Sequence, residues 1–159
     1  MKILIVSDTH GNHRDYNKVL EREGKFDMLL HLGDTEGGEY YIESTAGCPC
    51  HIVAGNNDFF SELPQEELVE IGKYNVFLTH GHGYSVSRDT VRLKREGQER
   101  GAQIVMYGHT HRPDIDLTDE IIAINPGSLS YPRQMGRDRT YVVMEIDESG
   151  ESKFELKFV

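Results

Sequence analysis

Acidic, amide and imidazole side chains recur in five short segments of this 159-residue chain, in an order suited to metal binding. The segments are Asp8-Thr9-His10, Gly33-Asp34, Gly55-Asn56-Asn57-Asp58, His80-Gly81-His82 and Gly108-His109-Thr110-His111. Two histidines at positions i and i+2 of an extended segment point the same way, which is good chelating geometry. Carboxylates and imidazoles together suit borderline divalent ions such as Mn, Fe, Co or Zn. A single segment of this kind is weak evidence, because turns and helix caps use the same residue types.

The elements that must position these segments are short apolar runs, the first of them rich in β-branched residues, which predict buried strands. One such run precedes each segment, at residues 2–6, 27–32, 51–54, 75–79 and 103–107. Ligands of open α/β sheets bind at the carboxyl ends of strands. We therefore expect the five segments to converge on one edge of the sheet, which chance placement does not explain.

The remaining elements indicate a layered α/β fold. Helical patterns span residues 12–23, 37–47 and 87–101, a hairpin joins 67–71 to 75–79, and further strands are expected at 115–117, 121–124, 140–146 and 154–159. Strands and helices alternate first, so a parallel sheet joined by antiparallel strands is expected. The length fits a single domain over residues 1–159.

Composition excludes several classes of protein. Acidic residues outnumber basic ones 27 to 17, which makes nucleic acid an unlikely partner. The apolar runs are far shorter than the ~20 residues that cross a membrane, and no signal peptide is recognisable. Cys48 and Cys50 match no redox or zinc motif, so we expect reduced thiols in a cytoplasmic protein. Strand edges near the C-terminus would allow a homo-oligomer.

Together and in this order, the five segments resemble the signature of the calcineurin-like metallophosphoesterases. The likeness is to the small single-domain bacterial and archaeal phosphodiesterases (YfcE type), and it runs from residue 2 to about residue 128. It includes the segment Asn125-Pro126-Gly127-Ser128. The resemblance implies a sandwich of mixed β-sheets flanked by α-helices, two divalent metal ions, and a small phosphodiester substrate. Manganese is the expected metal, with Fe, Ni, Co and Zn as alternatives.

The resemblance also implies a role for each polar side chain. The first metal would be held by Asp8, His10 and His111, the second by Asn56, His80 and His109, and Asp34 would bridge both. A hydroxide shared by the two metals would then attack phosphorus. His82 is left free to contact the substrate or to donate a proton.

Asn57 departs from the pattern of many superfamily members, which have a histidine at this position. That histidine contacts phosphate and assists the leaving group, whereas an amide can hydrogen-bond the phosphoryl group but cannot act as a general acid. We therefore predict a preference for phosphodiesters with good leaving groups over alkyl monoesters.

Other polar residues have two interpretations each. Asn12 is expected to cap a helix, although a substrate contact is the alternative. Asp58 would orient a ligand residue or form a turn, and Arg133 would bind phosphate or lie on the surface. The segment at 125–128 is a loop near the site or a structural turn. Three further histidines match no ligand position and are expected to be structural: His13, His31 and His51.

Three other functions compete with that of a phosphodiesterase acting on small substrates. The resemblance includes a scaffold relative, a sorting-complex subunit with an altered metal site, but here all seven ligand positions carry donors. A metallo-β-lactamase motif requires H-x-H-x-D-H, and in this chain the acid after His109-Thr110-His111 is Asp114, one place too late. A nuclease acting on long polymers is disfavoured by the acidic balance.

Overall fold

A computed structural model describes residues 1–118 and 120–159, and in these ranges ten strands and three α-helices are ordered along the chain. The strands are β1 (Lys2–Val6), β2 (Met28–His31), β3 (Cys50–Ile52), β4 (Glu66–Ile71), β5 (Tyr74–Thr79), β6 (Ile104–Met106), β7 (Pro113–Asp116), β8 (Ile122–Pro126), β9 (Thr140–Ile146) and β10 (Ser152–Phe158). The helices are α1 (His13–Glu23), α2 (Glu39–Ala46) and α3 (Val91–Glu99).

The strands form two mixed five-stranded sheets, in the orders β10-β9-β1-β2-β3 and β4-β5-β6-β8-β7. In the first sheet, β1, β2 and β3 are parallel because α1 and α2 supply the crossovers, and β9 and β10 run antiparallel to them. In the second sheet, β5, β6 and β8 are parallel, while the β4–β5 hairpin and the β7–β8 pair are antiparallel. The expected sandwich of mixed sheets flanked by helices is confirmed.

The expectation that one sheet edge collects all five segments is wrong. Three of the preceding strands (β1, β2 and β3) lie in the first sheet and two (β5 and β6) in the second. Apolar periodicity reports which residues are buried, but it does not say which strands pair. The segments therefore meet between the edges of two sheets.

The two sheets pack face to face across the largest apolar cluster. Ile3 and Ile5 of β1 pack in this cluster with Leu78 and Met106 of the second sheet, and all four side chains are fully buried. Side chains alternate along a strand, so the intervening Leu4 of β1 packs in a second cluster, with residues of α1 and α2. This layering fixes the carboxyl ends of the strands at one end of the sandwich.

The helix boundaries follow local signals. Asn12 caps α1, since its side-chain oxygen accepts a hydrogen bond from the backbone of Asp15 at 3.4 Å, as expected. Gly24 ends the helix at φ +63°, a left-handed conformation that favours glycine. The third helix is shorter than predicted, because residues 87–90 form turns before Val91. No helix within 1–118 and 120–159 has the length and apolar character needed to span a bilayer.

His31 is a buried histidine that joins two of the polar loops. Its Nδ1 accepts a hydrogen bond from the backbone N–H of Gly33 at 3.2 Å, so Nε2 carries the proton and donates it to Thr9 Oγ1 at 3.0 Å. Complete burial lowers the pKa of His31 to about 4, so the ring is neutral at pH 7. The expected structural role of His31 is thus confirmed.

We predict that His31→Gln destabilises the fold less at pH 5 than at pH 7. Between pH 6.5 and 4 the unfolded chain binds a proton at His31 that the folded chain does not, so the free energy of unfolding falls as the pH falls. The variant lacks this term, and the cost of the substitution should shrink by up to about 2 kcal/mol between pH 7 and pH 5. Urea unfolding at both pH values, with chelator present, measures the difference. A cost independent of pH would contradict the assignment.

Candidate metal centre

The seven side chains predicted to bind metal lie together where the carboxyl ends of β1, β2, β3, β5 and β6 meet. Each follows its strand by only a few residues, so the sheets fix where each loop starts. Four of the seven carry donor atoms that all lie within 4.8 Å of one another, namely Asp8, His10, Asp34 and His111. This grouping matches the proposed first half-site together with the proposed bridging residue.

In this first group, Asp8 is the central buried carboxylate. Its Oδ1 lies 3.0 Å from His111 Nε2 and 3.9 Å from His10 Nε2. Both Asp8 Oδ1 and His10 Nε2 are buried, and among the residues that the structure describes neither has a hydrogen-bond partner of good geometry. Burial raises the pKa of Asp8, but His111 and His80 outweigh burial and hold it below the usual value. A carboxylate and an imidazole left unpaired in the interior are a donor set that fits a divalent cation.

The second group is built around the side-chain oxygen of Asn56. This atom lies 3.2 Å from His80 Nε2 and 2.8 Å from His109 Nδ1. Asp34 Oδ2 lies 3.5 Å from His80 Nε2 and 3.7 Å from His10 Nε2, so it stands between the two groups. Asp34 thus lies within 4 Å of a candidate ligand in each group.

Three of the histidines have their second ring nitrogen fixed by an acceptor. His80 Nδ1 lies 2.6 Å from the carbonyl oxygen of Leu32, and His111 Nδ1 lies 2.8 Å from that of Tyr131. His10 Nδ1 lies 2.7 Å from Glu36 Oε1. Such contacts set the tautomer and leave Nε2 free to coordinate. Sequence reasoning missed Glu36, because its contact with His10 joins two loops that are 26 residues apart in the chain.

Asp58 is a buried carboxylate that ties the Asp34 loop to the loop after β3. It accepts hydrogen bonds from the backbone N–H groups of Asp34, Thr35, Glu36 and Gly55, and from the Thr35 hydroxyl. Burial raises the pKa of Asp58, but these hydrogen bonds outweigh burial and keep it low. Of its two interpretations, the geometry favours the orienting one, because Asp58 positions the backbone of Asp34.

The backbone of the site is strained at the candidate ligand residues themselves. Five of them adopt positive φ between +45° and +67°, which is uncommon outside glycine. They are Asp8, His10, Asp34, His109 and His111. Gly55 is required for the same close packing, since a Cβ there would lie 2.1 Å from Asp34 Oδ1. Strain of this kind persists where surrounding contacts over-determine it, and it clusters at functional sites.

The two remaining predicted site residues border the cluster. The Asn57 backbone N–H donates to Asp34 Oδ1 at 2.9 Å, and its side-chain amide donates to Asp34 Oδ2 at 2.7 Å. His82 is exposed in a short 3-10 helix, His82–Tyr84, with its ring centroid 6.2 Å from that of His109. Desolvation and the neighbouring His80 lower the pKa of His82.

Other candidates lie outside the cluster. The His13 ring packs against Tyr41 at a tilt of 33° with centroids 4.0 Å apart, and His51 contacts Glu67 at 2.7 Å. The 125–128 segment contacts the site loops through their backbones. Asn125 donates to the carbonyl of Gly108 at 2.8 Å, and the Ser128 hydroxyl donates to that of Asp8 at 3.0 Å. Arg133 is exposed.

Comparison with known proteins places this arrangement in a family. The family model described as the calcineurin-like phosphoesterase superfamily domain matches residues 1–149. A protein of Methanothermobacter thermautotrophicus named "Probable metallophosphoesterase" is 34% identical over 152 residues, covering 92% of this chain and 87% of the relative. A phosphodiesterase of Methanocaldococcus jannaschii is 29% identical over 145 residues, covering 80% and 83%.

Solved structures share the fold over nearly the whole chain. A predicted phosphoesterase of Streptococcus pneumoniae superposes with a TM-score of 0.80 at 31% identity, covering 98% of this chain and 97% of that one. Vps29 of Entamoeba histolytica complexed with zinc superposes with a TM-score of 0.77, covering 99% of both chains. Its identity is 24%, so that likeness concerns the fold alone.

We predict that Asp58→Asn weakens Mn²⁺ binding by about 10- to 100-fold, as removal of outer-shell partners of metal ligands does. An amide places N–H groups opposite backbone N–H groups, so the Asp34 loop loses its anchor. Calorimetric titration with Mn²⁺ measures the effect, and Asp89→Asn, at an exposed position, is the matched control. Equal affinity in both variants would show that Asp58 does not position the site.

Proposed function

The chain belongs to the calcineurin-like phosphoesterase superfamily, and on that premise we propose that it is a metal-dependent phosphodiesterase acting on small substrates. The observation that carries the proposal is a cluster of seven potential ligands with two buried donor atoms, Asp8 Oδ1 and His10 Nε2, that have no hydrogen bond of good geometry within residues 1–118 and 120–159. Unpaired buried polar atoms cost stability, and a bound cation would satisfy them. The similarity to a phosphodiesterase of M. jannaschii supports the diesterase activity.

The residues present fit a two-metal centre, with manganese as the proposed ion. One ion would be held by Asp8, His10 and His111 and the other by Asn56, His80 and His109, with Asp34 shared. Two divalent ions supply a hydroxide nucleophile at neutral pH and positive charge for the phosphoryl oxygens. The mixed carboxylate, amide and imidazole set favours a borderline ion over calcium or magnesium.

The chain's own residues orient the reacting groups. Asn57 donates to both oxygens of Asp34 and so fixes the plane of that carboxylate. We propose that its amide turns to a phosphoryl oxygen when substrate is present. His82, exposed beside His109, would contact the leaving-group side through a ring N–H.

This proposed division of roles favours diesters. Asn57 cannot protonate a leaving group, so the reaction depends on leaving groups that depart as stable anions. A monoester also brings a second negative charge to a site that contains three carboxylates, Asp8, Asp34 and Glu36. An aryl diester is therefore the preferred substrate type.

A scaffold role is the alternative, because the fold is shared with Vps29 proteins. A scaffold does not need seven polar donors at one end of a sandwich, with strained backbone at five of them. The filled ligand positions favour the enzyme.

We predict that Asp34→Asn lowers the hydrolysis of bis(p-nitrophenyl) phosphate at least about 100-fold, because this residue is the proposed shared ligand and even outer-shell changes cost 10- to 100-fold. The metal content of the variant, measured by elemental analysis, should fall below two equivalents per chain. Asp89→Asn serves as the control, and turnover near that of the unmodified protein would contradict the role of Asp34.

We predict that the protein hydrolyses bis(p-nitrophenyl) phosphate about tenfold faster than p-nitrophenyl phosphate in the presence of Mn²⁺. Asn57→His should narrow this ratio, because an imidazolium at this position would attract the second negative charge that only the monoester carries. The initial rates of both substrates test this. Faster turnover of the monoester by the unmodified protein would overturn the account of Asn57.

A further inference from the structure

The loop that follows Ser128 is fixed to the candidate metal centre at several points. The Ser128 hydroxyl donates to the carbonyl of Asp8 at 3.0 Å and accepts the backbone N–H of Tyr131 at 2.9 Å. His111 Nδ1 donates to the carbonyl of Tyr131, and the backbone N–H of Arg133 donates to the carbonyl of His111 at 2.9 Å. The side chains of this loop therefore hold a defined position relative to the metal-binding groups.

Tyr131 forms the border between the metal centre and a basic cavity. Its ring centroid lies 5.0 Å from that of His10, yet the residue is 61% exposed. Beyond it lies a cavity of about 570 Å³, which we call the arginine cavity. Among residues 1–118 and 120–159, its charged lining consists of Arg112, Arg133, Arg137 and Arg139 and includes no acidic residue.

This concentration of charge is unusual for the chain. The protein carries a net charge of −10, and four of its ten arginines line this one cavity. Arg139 contacts Asp15 at 3.0 Å. Within residues 1–118 and 120–159, the guanidinium groups of Arg112, Arg133 and Arg137 have no carboxylate within 4 Å, so they are free to bind an anion.

A second cavity that borders the metal centre has the reverse character. A cavity of about 550 Å³ next to Asn57 is lined by Glu36 and Glu39 together with the exposed rings of Phe59 and Phe60. An additional anionic group would be repelled there and attracted to the arginine cavity. The difference in charge between the two cavities would therefore orient a bound substrate with its additional anionic group toward the arginine cavity.

We propose that the arginine cavity is a subsite for a second phosphate group, carried by the same small phosphodiester whose scissile phosphate occupies the metal centre. Guanidinium groups bind phosphate in a bidentate manner, and Tyr131 offers an exposed ring against which a planar group such as a nucleobase packs. The preferred substrate class is then a nucleotide diester with an additional phosphate. This inference rests on the proposed phosphodiesterase function and adds a specificity to it.

Arg112 and Arg133 are the side chains to change. Both line the arginine cavity and also a neighbouring depression that contains Thr110. Both are exposed, so substitution by glutamine leaves the packing intact. Arg92→Gln with Arg95→Gln, on the exposed surface of α3, removes the same charge elsewhere and is the matched control.

The kinetic experiment compares two substrates that differ by one phosphate, thymidine 5′-(p-nitrophenyl phosphate) and its 3′-phosphorylated form, with Mn²⁺. The unmodified protein and the α3 control should prefer the 3′-phosphorylated ester by about tenfold or more in kcat/KM. The Arg112→Gln/Arg133→Gln protein should lose this preference and keep its kcat/KM for the simple ester. Cleavage of both esters with equal kcat/KM by the unmodified protein overturns the subsite and leaves the proposed function standing.

A binding experiment decides the matter independently of activity. Calorimetric titration with thymidine 3′,5′-bisphosphate should show binding that is at least about tenfold weaker in Arg112→Gln/Arg133→Gln than in the control. This result supports the subsite even if neither ester is cleaved, in which case only the proposed function fails. Equal binding to all three proteins overturns the subsite. Binding of a 12-nucleotide DNA with steep salt dependence, without binding of the bisphosphate, also overturns it in favour of a polymer surface.

Discussion

The carboxylate of Asp34 lies close to side chains from loops of both sheets, and the geometry of the rest of the site depends on these contacts. Its Oδ2 lies 3.7 Å from a histidine that follows β1 in the first sheet and 3.5 Å from one that follows β5 in the second. Asp34 is held in turn by Asn57 and, through its backbone, by Asp58. The face-to-face packing of the apolar sheet surfaces thus supplies the free energy that keeps polar donors this close.

The close approach of the loops costs conformational free energy in the backbone. Five candidate ligand residues adopt positive φ, and Gly55 lies where any side chain would collide with Asp34. Each such conformation costs on the order of 1–3 kcal/mol, and buried unpaired donors add to that cost. The compensation comes from hydrogen bonds such as those of Asp58 and Ser128, which attach one loop to another. A fold selected for stability alone would not need this arrangement, which supports a function in which donor geometry matters.

The surface around the site is electrically asymmetric in a way that net charge conceals. The chain is acidic as a whole, yet arginines collect beyond Tyr131 and carboxylates collect near Asn57. A cluster of charges beside a site orients a ligand by local attraction. The net charge of the whole protein does not reveal such a cluster. Composition therefore argues against a long nucleic acid partner without arguing against a small anionic one.

The sequence by itself determined the family, the layered α/β class and the residues of the candidate site. The donors follow apolar strands in order, and strand ends are where an α/β protein places its ligands. The α1 boundaries were also readable, because Asn12 and Gly24 act through local backbone geometry.

Tertiary structure alone decided that two sheets, not one, supply the site, because strand pairing depends on contacts between residues far apart in the chain. It likewise decided that Glu36 contacts His10 and that four arginines spread over residues 112–139 line one cavity. Proximity of this kind arises only when packing brings separate loops together, and no local pattern of residues encodes it.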